Sequence, residues 1–408
     1  MQTSSRQTYL DWLRIMAIMA VLFFHAAMAF VNEWEWHIKN KETSALLLEF
    51  NFFLHLFRMP LLFFISGTVT WFMLQRRSSG SFIGLRFRRL LVPLLFGMLV
   101  IVPPQVYLER LTQGFKGNFI DFYPNTFSTG AYPSGDLSWH HLWFIAYLFL
   151  YDIIFAGIFK WCISEKGREK LNRINKLAEG KRIYLLAVPG IVLYTVLSYR
   201  FPQTSDLIHD YCYFFYWLFF LLAGFVCINF PALMDSLEKN RRTSLLFAII
   251  TIFLINYIRW NELEPYRLFE NGQSEWGIYL FRSLFPVTAW SWVFTAIGYG
   301  KRYLNKKHKA LDYLNQAVYP FYILHQTVIV IIVYYVVQTT DTILMKYVFT
   351  VLVSFLLTTA IYHVFIKPFA VTRFLFGMKP KKKAAKIRQT GIPASKEQTQ
   401  LEPVLENL

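Results

Sequence analysis

The sequence predicts an all-α, polytopic membrane helix bundle of about ten transmembrane helices, with both termini in the cytoplasm. Three observations carry that expectation. Of 408 residues, 55% are hydrophobic and only 16% are charged, against about 25% charged in an average soluble domain. The apolar residues gather in runs near the ~20 residues that cross a bilayer as one helix, with no stretch between them long enough for a soluble domain. The loops between the runs alternate in charge along the whole chain.

The runs lie at 10–31, 50–74, 90–108, 141–160, 183–198, 213–230, 244–258, 277–299, 314–337 and 344–366, the fifth and seventh being the shortest. Prolines within them (Pro60, Pro93, Pro286, Pro320) predict kinks, which bundles tolerate when the freed backbone groups find other partners. The first run, "YLDWLRIMAIMAVLFFHAAMAF", contains Asp11, Arg14 and His25. Three and eleven residues separate them, so on a helix they share one stripe, with Arg14 and His25 about 16 Å apart along the axis. Ionisable groups at that depth are costly, roughly 2.5 kcal/mol or more for Arg or Asp, and mark a protein-lined interior. The plainer alternative is an Asp11–Arg14 pair reaching the interface and a hydrogen-bonding His25.

Glu33, Glu35, Glu42 and Glu49 follow in the 32–49 loop. The second run, with "HLFRMPLLFFISG", sets His55 and Arg58 three residues apart, hence on one face. The 75–89 stretch reads as a basic loop, with Arg86 and Arg89 at the start of the third run. Arginines at a helix N-terminus make a phosphate site; simple topology-setting charge is the alternative. His140 and His141 open the fourth run, and the basic 161–182 loop reads as a solvated segment with some helix. Lys239, Arg241 and Arg242, and then Lys301 to Lys309, form the later basic loops, while Glu262, Glu264, Glu270 and Glu275 make 259–276 acidic. Arg282 lies early in the eighth run and His325 midway along the ninth. The positive-inside rule then puts both termini in the cytoplasm. Residues 1–376 form the membrane domain, and 377–408, with "KPKKKAAKIR", a basic disordered tail.

The formal net charge of +17 is accounted for by these loops, and no nucleic-acid motif accompanies it. Cys162, Cys212 and Cys227 have no metal-ligand spacing, so no metal or cofactor is expected. The first run is too long for a cleavable signal and lacks a small-residue cleavage site.

His25, His55, Arg58, His140, His141 and Arg282 fall at similar outer depth and are expected to converge in one cavity, while arginines gather at the cytoplasmic side. That division suits acyl transfer across the membrane. Donor phosphates want arginines, an acceptor hydroxyl wants a base near neutrality, and a tetrahedral oxyanion wants hydrogen-bond donors. A multi-pass transporter or flippase of a sugar- or lipid-linked anion shares the intramembrane His and Arg and the broken helices. Transporters usually carry repeat symmetry, which this sequence lacks.

"LDWLRIMAIMAVLFFH" resembles the Arg-x10-His signature of the acyltransferase 3 family of membrane O-acyltransferases, with Arg14 and His25 at the matching positions. "FFISG" (Phe63 to Gly67), "RFRRLLVP", "HLWFIAYL" (His141 to Leu148) and "YPFYILHQ" (Tyr319 to Gln326) are similar to its other landmarks, in order. "FNFFLHLFRMPLLFFISG" is especially similar to the glucans-biosynthesis branch, associated with succinylation of periplasmic glucans. The resemblance implies acyl-coenzyme A as donor co-substrate and an extracytoplasmic carbohydrate or lipid-linked sugar as acceptor. With the residue reading, it implies His25, Arg14 and Asp11 as catalytic, and His55, Arg58, Ser66, Arg86, Arg89, His141, Trp143, Arg282 and His325 as substrate-binding. The expected location is the bacterial cytoplasmic (inner) membrane.

Overall fold

The computed structural model describes residues 7–268 and 275–380. Glu270 of the expected acidic loop and residues 381–408 of the expected tail lie outside the described residues. Among the described residues nine helices are long and apolar enough to cross a membrane. They are α1 (Thr8–Phe30, its last turn 3₁₀), α2 (Ala45–Gln75), α3 (Ser79–Thr112), α4 (His140–Ile163), α6 (Tyr211–Asn229), α7 (Arg241–Trp260), α8 (Trp276–Tyr303), α9 (Lys309–Val336) and α10 (Ile343–Ile366).

The fifth predicted span is a 3₁₀ segment, Arg182–Leu186, followed by the short helix α5 (Val188–Leu197). Together they extend about 25 Å, slightly less than the ~30 Å hydrocarbon core. They still cross. At one end Lys181 donates to Thr243 (2.5 Å) and Tyr184 lies 3.0 Å from Ser244, at the start of α7. At the other, Ser198 is held by Arg282, near the start of α8. The face of the bundle that carries the Arg- and Lys-rich connections is called the basic face below; the other is the acidic face. The helix Pro231–Lys239, which the sequence reading missed, lies at the basic face and buries Leu233, Met234 and Leu237.

The third span is longer than its sequence suggested. Ser78 caps it, accepting from the Ser81 N–H at 3.3 Å, and the helix runs on from Ser79 through two π-helical segments, Phe87–Leu91 and Gly97–Ile101. The expected 75–89 loop therefore shrinks to residues 76–78, and Arg86 and Arg89 stand inside a helix. The backbone N–H groups around them are engaged in it, so the expected phosphate site at a helix N-terminus is absent there. Pro93 supplies no N–H to the carbonyl of Arg89; the Tyr319 hydroxyl takes it instead at 3.0 Å.

Burial ranks the helices. In the most apolar window of α1, α2 and α9, 72, 78 and 72% of residues are buried, against 22 and 28% for α7 and α10. The first three form the centre and the last two face outward. The crossing of α2 and α6 is close because both helices offer glycine there. A Cβ on Gly67 would stand 1.9 Å from the Leu221 carbonyl oxygen, and one on Gly224 1.8 Å from that of Phe64. Small residues at such contacts let helix backbones approach where lipid offers no hydrophobic drive.

Candidate active site

α1 and α9 run side by side in the same direction. Arg14 Nη2 donates to Asn315 Oδ1 at 2.6 Å near the basic face, and His25 Nδ1 is 2.9 Å from His325 Nε2 toward the acidic face. The eleven residues between the first pair of positions match the ten between their partners. On α9 the sequence Asn315, Tyr319, Tyr322, Gln326 repeats at four, three and four residues, one helical stripe. It links the two ends of the site over about 15–17 Å.

The hydrogen bonds assign the histidine tautomers. His325 Nδ1 lies 2.6 Å from the Tyr322 carbonyl oxygen. A carbonyl only accepts, so this nitrogen carries the proton. In the neutral ring, Nε2 of His325 is then an acceptor, and the proton between the two rings belongs to His25 Nδ1. His25 Nε2 is left with its lone pair. The rings of His25 and His325 stack at 5.0 Å with an interplanar angle of 5°. His141 completes the group, its ring 5.1 Å from that of His325. Its Nε2 donates to the Ile323 carbonyl at 3.0 Å, and its buried Nδ1 has no hydrogen-bond partner.

Arg58 approaches from α2. It is 6% exposed, and its guanidinium carbon lies 3.4 Å from the centre of the Phe24 ring, which stands 5.4 Å from the ring of His25. Its Nε and Nη1 are buried without hydrogen-bond partners. Unmet donors on a buried cation are expensive, and these two N–H groups are the ones that an anion at this depth could meet. Asn51 donates to the Phe24 carbonyl at 3.1 Å and holds α2 to α1 at this depth. His55 packs on Phe24 and Trp34 and keeps an exposed edge.

A second layer lies outside the histidines. The Trp36 ring stands 5.3 Å from that of His25 and 5.0 Å from that of His37. His37 Nδ1 bonds the buried Glu109 carboxylate, and Gln326 donates to His37 Nε2 (3.2 Å) and to Gln105 Oε1 (3.0 Å). Tyr132 donates to Glu109 at 3.1 Å, and burial with the neighbouring carboxylate holds its hydroxyl above its usual range, so it stays a donor. His140 packs its ring 4.5 Å from that of His37. Lys39 spends its ammonium on the carbonyls of Met28, Val31 and Trp34, fixing the loop that brings Trp36 in. The sequence reading missed Trp36, His37, Glu109, Gln105 and Gln326. "WEWHIKN" was legible as a polar loop, but the 72-residue separation of His37 from Glu109 hid the pair.

The remaining expected site residues fall in three places. Asp11, 3.9 Å from Arg14, lies about 21 Å from His25 along α1, at the basic end. Arg86, 1% exposed, is locked to Asp152 (2.7 Å) and Thr70 (3.0 Å), and Thr70 in turn donates to Asp152 at 2.8 Å. Arg89 is buried one turn further on, its carbonyl taken by Tyr319. Ser66 is buried next to the α2–α6 crossing, about 12 Å nearer the basic face than Arg58. Trp143 packs into an aromatic group with Phe63, Tyr147 and Trp217 rather than on the histidines. Arg282 is a correction. It does not converge on His25, because α8 packs its early half against α5 and α7. Its Nε donates to Ser198 Oγ at 2.9 Å and its Nη2 to the Ser198 carbonyl at 2.5 Å. Among the described residues no group of three His, Cys, Asp or Glu side chains is arranged to hold a metal ion.

The arrangement can take a proton at His25 Nε2, share the resulting charge with His325, and offer guanidinium N–H groups to a developing anion. The chain matches the Acyltransferase domain family over residues 7–363. It is 23% identical over 334 residues to glucans biosynthesis protein C of Escherichia coli O81 (strain ED1a) and of E. coli K12, a match covering 79% of this chain and 82% of each relative. It is 23% identical over 341 residues to the protein of the same name from Salmonella paratyphi A, covering 78% of this chain and 81% of that one. No solved structure matches. The family match takes in the histidine cluster, the Arg14 end of the site and, but for the last turn of α10, the nine long apolar helices of the described residues. The chain belongs to this acyltransferase family and is an integral membrane acyltransferase.

Proposed function

We propose that the protein moves an acyl group from cytoplasmic acyl-coenzyme A to a hydroxyl of an extracytoplasmic carbohydrate or glycolipid, with His25 as the base. The observation that carries this is the chain His25–His325–Tyr322 carbonyl, which leaves His25 Nε2 open as an acceptor. The name of the relatives, glucans biosynthesis protein C, supports a glucan as the acceptor. In this reading the basic face lies in the cytoplasm of a bacterial inner membrane, as the positive-inside rule requires.

The acceptor hydroxyl attacks the thioester carbon while its proton passes to His25 Nε2. The imidazolium is stabilised as His25 Nδ1–H bonds more strongly to His325, whose own Nδ1–H is anchored on Tyr322. Arg58 Nε and Nη1 donate to the tetrahedral oxyanion, a contact made only once charge develops on that oxygen. The carbon–sulfur bond then breaks, the proton on His25 goes to the leaving thiolate, and an ester and coenzyme A result. Arg14 and Arg89 hold the phosphate and pantetheine end of the donor. Asn315, Tyr319 and His325 lie along α9 over the length that the extended arm must span. Arg86, committed to Asp152, positions the helix that carries Arg89.

The test uses purified protein in lipid nanodiscs with acetyl- and succinyl-coenzyme A. Release of free thiol that is accelerated by an added glucose oligosaccharide supports the proposal. Saturable donor or sugar uptake into proteoliposomes without thiol release would favour a transporter instead.

A further inference from the structure

A cavity of about 510 Å³ opens at the acidic ends of α2, α7 and α8, away from the histidine cluster. That is within the usual size range of small-molecule sites. Its walls are aromatic: Trp260 and Tyr266 expose 60% and 52% of their surfaces, with Phe281 and Phe285 beside them. Rings at this depth could be the ordinary interfacial belt of a membrane protein. A belt does not explain Glu264. This residue is only 4% exposed, lines the same cavity, and receives the Tyr266 hydroxyl on Oε1 at 3.2 Å. Its Oε2 is buried with no hydrogen bond; Arg267 Nε lies 3.3 Å away without hydrogen-bond geometry. The ion pair with Arg267 leaves this oxygen without the hydrogen-bond donor that buried polar atoms ordinarily have, a place that a ligand hydroxyl fits.

The charges narrow the ligand. Three carboxylates and three guanidinium groups line the cavity, so it carries no net charge. Arg259 is tied to Glu49 at 3.0 Å, and Arg282 is spent on Ser198. An anion would meet arginines already engaged, and a cation would meet a carboxylate already beside Arg267. What suits the site is a neutral ring that donates hydroxyls at its edge and lays a C–H face on aromatic walls, which describes a pyranose. Glu49 and Phe52 stand on the same helix as Arg58, about 9–14 Å nearer the acidic face. Trp34 packs on His55 and joins the apolar cluster of Phe52, so it lies between the cavity and the catalytic group.

We propose that this cavity binds one neutral sugar ring of the acceptor chain, leaving neighbouring units of that chain to reach His25. The inference rests on the acyltransferase reading for its use, but the binding needs no acyl donor and is tested without one. Full-length protein in nanodiscs of neutral lipid is titrated, by calorimetry, with a short linear glucose oligosaccharide and separately with a uronic-acid oligosaccharide of equal length. The neutral chain is expected to bind and the acidic one to bind about tenfold more weakly or less. Trp260→Ala is expected to weaken the neutral sugar by about tenfold, the upper range for one aromatic contact. Trp260→Phe keeps a ring and should keep most of the affinity. Glu264→Gln should lose about tenfold or more by removing the acceptor oxygen. Trp260 is on the surface, so its variants test the idea even if Glu264→Gln fails to fold. Absence of neutral-sugar binding, stronger binding of the acidic chain, or unchanged affinity in Trp260→Ala overturns the assignment. Sugar binding without thiol release in the transfer assay leaves this subsite standing and removes the acyltransferase mechanism instead.

Discussion

Replacing His325 with alanine removes the acceptor that His25 Nδ1–H uses at 2.9 Å, without touching the base nitrogen itself. In the resting site that bond is neutral and contributes about 1 kcal/mol; once His25 holds the acceptor's proton it becomes charge-assisted, about 1.5–3 kcal/mol. Only the difference, about 0.5–2 kcal/mol, acts on the rate, which is a factor of roughly 2–30. The ring also loses its tautomer restraint and its stacking partner, and misplacement on that scale costs up to about 10²-fold. Together the loss in kcat should approach 10²-fold, with the donor KM little changed because the proposed phosphate end is at Arg14, away from His325. His325→Gln offers an amide oxygen to His25 Nδ1–H and should recover to within about tenfold of wild type. Steady-state thiol release, with melting temperatures measured alongside, gives both numbers. A folded His325→Ala protein with wild-type kcat, or a His325→Gln protein no better than alanine at equal stability, would refute the orienting role.

Other outcomes follow from the packing. Arg86→Gln breaks a buried ion pair and should cost about 3–5 kcal/mol, whereas Arg86→Met combined with Asp152→Leu should recover much of it; thermal unfolding in detergent reads both. Arg89→Ala should weaken coenzyme A binding and Arg89→Lys restore it only partly, since the planar fork is lost; equilibrium binding of coenzyme A checks this. Gly224→Ala would drive a methyl group into the Phe64 carbonyl, so it should lower the melting temperature sharply while Gly157→Ala, with open space around it, should not. In a Cys-free background, cysteines placed in the 32–49 loop should label from outside with an impermeant thiol reagent, and those at 76–78 should not.

Much of this architecture is legible in the sequence because bilayers impose simple rules. Span length finds nine of the ten expected helices as long apolar helices among the described residues, and the eleven-residue spacing of Arg14 and His25 puts both on one stripe of α1. His325 and Arg58 were legible for the same reason: a charged or titratable group within an apolar run must find protein around it. Other features were hidden by the same logic. Arginines at a span's end look alike whether they sit in a loop or in a helix, and only the Ser78 cap and the π-helical turns show that Arg86 and Arg89 are helical. Arg86 could equally have met a phosphate; its partner Asp152 lies on another helix, and no local pattern reports it. Depth along a helix also leaves rotation about its axis open. Arg282 has the expected depth and faces Ser198, and the His37–Glu109 layer depends on a loop that folds back over the bundle.

The most direct test of the central claim is transfer by purified wild-type and His25→Ala protein, read by mass spectrometry of the oligosaccharide product. The wild type should add an acyl mass to the sugar at the expense of acyl-coenzyme A. His25→Ala should lose about 10²–10⁴-fold in turnover, the usual contribution of a general base, while still folding and binding coenzyme A. A well-folded His25→Ala protein that transfers at the wild-type rate would contradict the account.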